Sequence, residues 1–238
     1  MDEEIQRIVK TYHRRDADGL DARYSLTWPA VYMASQERER LLLKWIRFSG
    51  IAPASDKRLL EIGCGGGANL LWLLRAGFFP ENLVGNELIP ARIQAARNVL
   101  PARIRLLEGN ALELDIPPDS FDIVFQSVVF TSILDAHLKS EIAAAMWKWV
   151  KPGGGVLWYD FVFDNPHNGD VKGIGKREIR ALFPNGAMQS WRVTLAPPIA
   201  RLVTRIHPSM YTILNSIPAL RSHVLCWIKK GDNVVGHS

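Results

Sequence analysis

The chain has 238 residues, 47% of them hydrophobic and 22% charged, with a formal net charge of +5. This length lies near the upper end of what one hydrophobic core supports, and the composition is that of an ordinary soluble globular protein, so disorder is not the default. Two cysteines, Cys64 and Cys226, give neither a disulfide framework nor a metal quartet, and no apolar run reaches the ~18 residues that span a bilayer.

The start, Met1-Asp2-Glu3-Glu4, is acidic where a secretory signal would be basic, so a protein of the reducing cytoplasm with no metal centre is expected. The positive charge is local. From Ile179 to Lys230 there is no Asp or Glu, whereas Arg180, Arg192, Arg201, Arg205, Arg221, Lys229 and Lys230 all fall there. Such a stretch attracts phosphates, anionic substrates or a lipid surface, or is simply a solvated basic face.

In chain order, residues 5–50 carry a helical pattern, with Gly50 suited to a C-cap, which defines an N-terminal helical cap over 1–50. The region 51–238 forms the main domain. Arg58–Ile62 reads as a short buried strand running into a glycine-rich turn and a helix over 68–76. Strands at 83–87, 104–108 and 121–126 then alternate with helices at 90–99 and 138–150, and the Lys151-Pro152-Gly153-Gly154 turn leads to a strand at 155–160. This alternation requires a parallel sheet with crossover helices. A polar loop over 163–175 and a short helix over 176–182 precede strands at 191–195 and 223–229, with 197–218 as a helical insertion between them. The fold class is therefore α/β, a doubly wound, seven-stranded, mostly parallel sheet with a helical cap.

Gly63, Gly65 and Gly67 follow a buried strand and precede a helix, so backbone N–H groups and the helix N-terminus approach a ligand closely. With Glu61, they form the pattern acid-x-Gly-x-Gly-x-Gly. On these residues the sequence resembles the class I S-adenosylmethionine-dependent methyltransferases, which have a Rossmann-like fold. An acid in that place would repel a phosphate but suits the cationic sulfonium and ammonium of S-adenosylmethionine. The resemblance implies donor contacts at Cys64 within the turn, and at Glu87 and Leu88 after the second strand, with Glu87 accepting from ribose hydroxyls. Asn110, Ala111 and Leu112 would flank adenine, with Asn110 where an Asp is common. Gln126 and Ser127 end the strand that leads to the methyl-transfer face. Thr131 and Ser132 stand where many relatives have a His, and Lys151–Leu157 resembles the family's turn before the fifth strand.

Ligands of open α/β sheets lie beyond the carboxyl ends of the strands, which points the acceptor at the segment 160–168. An alcohol acceptor needs a proton acceptor: His167 suits that role near neutrality, with Asp160 or Asp164 orienting it or replacing it, while Asp164-Asn165-Pro166 also reads as a plain turn. Tyr24, Trp28 and Tyr32 either close over the donor or, for at least two of them, pack on the sheet, whereas Trp45, Trp72, Trp147 and Trp149 fall on apolar stripes as core.

The expected reaction is methyl transfer to a small molecule or glycan, at oxygen. The glycan reading rests on the resemblance of 159–184 to polysaccharide-associated methyltransferases and on a basic insertion able to meet an anionic or lipid-linked acceptor. The insertion 197–218 reads as a substrate lid, a dimer contact or a peripheral membrane contact. A nucleic-acid methyltransferase suits the charge, but Gln126-Ser127-Val128-Val129 differs from the motif of amino-methylating DNA enzymes. A non-catalytic donor-binding module is the third alternative.

Overall fold

Strands that are apolar on both faces must be covered on both, and β1 (Leu59–Ile62) and β2 (Leu83–Glu87) are buried along their whole length. The computed structural model describes residues 2–17, 19, 24–164 and 168–232. After α1 (Asp2–Ala17) and α2 (Pro29–Phe48), these strands alternate with α3 (Ala68–Arg75) and α4 (Pro90–Val99). There follow β3 (Arg105–Glu108), β4 (Phe121–Ser127), α5 (Ala136–Trp149), β5 (Val150–Phe161), α6 (Lys176–Leu182), β6 (Ala187–Leu195), α7 (Pro197–Val203), α8 (Ser209–Asn215) and β7 (Arg221–Lys229).

The seven-stranded sheet has the order β3-β2-β1-β4-β5-β7-β6. Its first five strands are parallel, while β7 runs antiparallel to β5 and β6 antiparallel to β7. Side chains alternate between two cores. One, around Leu60, Val124, Val156 and Trp158, lies under α5 and α6; the other, around Leu59, Phe125, Leu157 and Trp227, lies under α2, α3 and α4. Trp45, Trp72 and Trp149 are core as expected, and Trp147 is half-buried.

Two strands differ from the sequence reading. β5 starts at Val150, because Val150 already pairs with Phe121 and the Lys151–Gly154 stretch is a bulge before Gly155 pairs with Ile123. The glycines there answer to crowding: a Cβ on Gly154 would sit 2.5 Å from the Asp122 carbonyl and one on Gly155 2.7 Å from the Trp227 ring. β6 starts at Ala187, because Ala187–Ser190 pair with the end of β7 on an edge where alternate side chains stay in water. A third correction concerns Tyr24, Trp28 and Tyr32, which are 73%, 59% and 48% exposed rather than packed on the sheet.

Because β7 is antiparallel, the β6–β7 connection, with α7 and α8, returns to the edge where β1, β4 and β5 end. α2 reaches this edge with its first half. Glu37 of α2 is buried; its Oε1 accepts from the Thr194 N–H at 3.0 Å and its Oε2 from the Tyr211 hydroxyl at 2.6 Å. One carboxylate thus ties the cap, the sheet edge and α8 together. Glu37→Ala would strand a buried N–H and a buried hydroxyl, an expected cost of ~2–4 kcal/mol. Thermal denaturation should show Tm lowered by ~5–12 °C, against ~1 °C or less for Arg40→Ala on the exposed side of the same helix.

Candidate active site at the carboxyl edge of the sheet

β1 ends in a turn whose backbone only glycine accommodates comfortably. Gly63 has φ +66° and faces Val129 so closely that a Cβ would lie 2.5 Å from its Cγ2; Gly67 has φ +85° and would clash with Leu100. Beneath the turn, Glu61 is fully buried, and its Oε1 accepts from Asn69 Nδ2 at 2.6 Å. Its Oε2 has no hydrogen-bond partner. Burial pushes this carboxyl up to about 8, against the Asn69 hydrogen bond and the charge of Arg38.

Glu87, the last residue of β2, reaches across to the turn: its Oε2 accepts from the Gly65 N–H at 2.8 Å and its Oε1 from the Ile89 N–H at 2.9 Å. Cys64 is buried under the turn, with burial pushing its thiol up, and Leu88 packs on the core. Asn110 caps the short turn Ala111–Glu113, with Oδ1 accepting from the Leu112 N–H at 3.1 Å. Ala111 is buried and Leu112 half-buried beside it.

After β4 the chain turns sharply. Val128 adopts φ +60°, a region that a β-branched residue enters only under constraint. Its N–H donates to the Tyr159 carbonyl, and the buried Gln126 side chain braces the bend, accepting from the Val129 N–H at 3.1 Å and donating to the Tyr159 carbonyl at 3.4 Å. Val129 is thereby pressed onto Gly63, while Ser127, half-buried, closes the strand.

Asp160, expected to orient or replace His167, is fully buried: Oδ1 accepts from the Thr131 hydroxyl at 2.7 Å and the Phe161 N–H at 3.0 Å, and burial pushes it up to about 7. It anchors the loop after β4 to β5. Asp164 is exposed, and its Oδ1 accepts from the Gly173 N–H at 2.8 Å. His167 lies outside the described residues.

Opposite the glycine turn stands a group the sequence reading missed. The Tyr159 hydroxyl is 2.8 Å from Thr194 Oγ1, the His223 ring stacks on Tyr159 at 4.9 Å, and the Arg38 guanidinium lies 5.5 Å from the Tyr159 ring centre. Arg38 is half-buried and makes no ion pair among the described residues. Burial, with the charges of Arg38 and Arg192, pushes His223 down to about 3, so its imidazole is neutral. One signal was present in the sequence: Glu37 occupies the stripe of Ala30, Met33, Leu41 and Trp45, where an acid has no reason to be unless it is paired.

α1 crosses this edge as a strap. Arg7 donates to the Ser132 carbonyl at 2.6 Å, Glu4 accepts from the Leu134 N–H at 2.5 Å, and Arg92, just after Glu87, bonds Asp16 at 3.2 Å. The Arg7 hydrogen bond, with the loop amides, holds the Glu4 carboxyl at about 2.

Residues 60–158 match the family model described as a methyltransferase domain. A demethylmenaquinone methyltransferase of Deinococcus radiodurans is 31% identical over 110 residues, 45% of this chain and 44% of that one. A phthiotriol/phenolphthiotriol dimycocerosates methyltransferase of Mycobacterium leprae is 29% identical over 137 residues, 53% of this chain and 49% of that one. The chain thus spans about half the length of the curated relatives it matches. In fold it is similar to a SAM-dependent methyltransferase from Archaeoglobus fulgidus, with a TM-score of 0.56 at 15% identity, covering 82% of this chain and 96% of that one. From β1 to β5 the chain thus matches a methyltransferase domain, and its fold is similar to that of S-adenosylmethionine-dependent methyltransferases.

The donor fits the residues present, because the dry, unpartnered Glu61 oxygen is what a bound ammonium would satisfy. Glu61 binds its proton more tightly folded than unfolded, so its ionisation opposes folding as pH rises from ~4.5 to about 8. Glu61→Gln should therefore flatten the fall of Tm across that window while weakening S-adenosylhomocysteine binding ~10–100-fold by calorimetry. A variant that binds as tightly as the parent removes Glu61 from the site. Independently, S-adenosylhomocysteine should raise hydrogen-exchange protection of α1, and Arg7→Ala should abolish that gain without altering protection of β1.

Proposed function

We propose that this protein transfers the methyl group of S-adenosylmethionine to an oxygen of a small-molecule acceptor that also carries an anionic group. The donor reading rests on Glu61, sealed and half-satisfied beneath the glycine turn. In it, Glu61 receives the donor ammonium and Glu87 accepts from ribose hydroxyls with lone pairs left over from Gly65 and Ile89. Gly63, Gly65 and Gly67 with Cys64 give the donor close backbone approach, Leu88, Ala111 and Leu112 flank the nucleoside, and Asn110 keeps a spare lone pair for adenine. Gln126 acts by holding Val129 and Ser127 in place at the methyl-transfer face. Tyr24, which is exposed, contacts the donor only on closure.

The donor supplies a methyl group activated by its sulfonium; the protein supplies alignment and exclusion of water. As the new O–C bond forms and the S–C bond breaks, the acceptor hydroxyl loses its proton, which we assign to Asp164 or to the neighbouring His167. Arg38, which lies beside Tyr159 and makes no ion pair among the described residues, supports an anionic acceptor. A sugar hydroxyl on a phosphate-bearing carrier meets this description, and so do lipid-like hydroxyl acids.

Labelled donor offered with a panel of phosphorylated sugars, lipid-linked sugars and hydroxylated lipid acids should label an acidic class. With that acceptor, Arg38→Met should raise KM ~10-fold or more while S-adenosylhomocysteine binding stays within ~3-fold. Labelling confined to neutral acceptors, or an equal loss of S-adenosylhomocysteine binding, rejects the assignment of Arg38.

A further inference from the structure

The outer faces of α7 and α8 remain unexplained by methyl transfer. Their inner faces bury Ala200, Val203 and Tyr211 against Ala30, Met33 and Ala34 of α2. On the outside, Leu202, Ile206, Ile213 and Ile217 are 64%, 72%, 65% and 46% exposed. Leu202 with Ile206 and Ile213 with Ile217 are pairs four residues apart, each beginning in a helix and ending in the turn just past it, exposed aliphatic side chains that a water-facing surface has no reason to collect. Arg201 and Arg205, both exposed, are interleaved with them, and the insertion carries no acid. Beside them, at the start of α2, Trp28 and Tyr32 also face outward. The patch rims the edge at which β1, β4 and β5 end.

We propose that this patch docks the protein on an anionic lipid bilayer, with the aliphatic side chains entering the acyl boundary and Arg201 and Arg205 at the headgroups. Charge selects this occupant. A second copy seated on the same patch would bring arginine onto arginine, with no acid in the insertion to relieve it. An anionic bilayer, by contrast, meets both the cations and the apolar side chains, and aromatic residues with polar atoms suit its interface. The insertion is two short helices, and among the described residues no helix is long and apolar enough to cross a membrane, so the contact is peripheral. This inference does not depend on which acceptor is used.

The test is flotation of the full chain with vesicles of phosphatidylcholine alone or mixed with phosphatidylglycerol. Partition should be ~10-fold or more stronger on the mixed vesicles and should fall as salt is raised. Ile206→Ser with Ile213→Ser, and separately Arg201→Gln with Arg205→Gln, should each reduce it ~10-fold. S-adenosylhomocysteine affinity and Tm serve as controls for folding and should hold. No partition on either vesicle overturns the proposal, as does equal partition by folded variants. A dimer in sedimentation that the isoleucine substitutions dissolve would assign the patch to a protein contact instead.

Discussion

A carboxylate is costly to bury, and Glu61 is buried completely with one oxygen that has no hydrogen-bond partner among the described residues. The cost is tolerable because the group takes up a proton near neutrality. The glycine turn can be understood from this one constraint. β1 ends under a turn with no side chains, Glu87 crosses the turn to hold Gly65 in place, and Val129 presses on Gly63.

The same logic explains the strain after β4. Val128 is held with positive φ by its own bond to Tyr159 and by the Gln126 amide, which bonds on both sides of the bend. Such a conformation costs ~1–3 kcal/mol and persists only where its surroundings impose it. Here they do so against the glycine turn, so the loops after β1 and β4 are set by each other rather than by either sequence alone.

The grouping around the glycine turn was legible because its pattern is local. Glu61, Gly63, Gly65 and Gly67 are contiguous, and Glu87 stands one crossover later, so spacing alone brings them together. Glu37, Tyr159, Thr194, Tyr211 and His223 are scattered through the chain and meet only across the sheet, so their grouping could not be read in advance. The burial of Asp160 was not legible for a different reason. An acid at a strand end looks available, yet it shares the face of Trp158 and is enclosed by Thr131, whereas Tyr159 points to the other side. The run of glycines before β5 was read as a turn because such runs usually are; here they relieve crowding inside a strand.

The antiparallel last strand has a further consequence. By returning the late insertion to the mouth, it sets an acid-free, arginine-bearing rim against a floor that holds Glu61 and Glu87. The positive charge therefore lies on one side of the edge, where an anion approaching from bulk water is drawn before it touches the protein, while Glu61, sealed and protonated near neutrality, adds no charge to the other side.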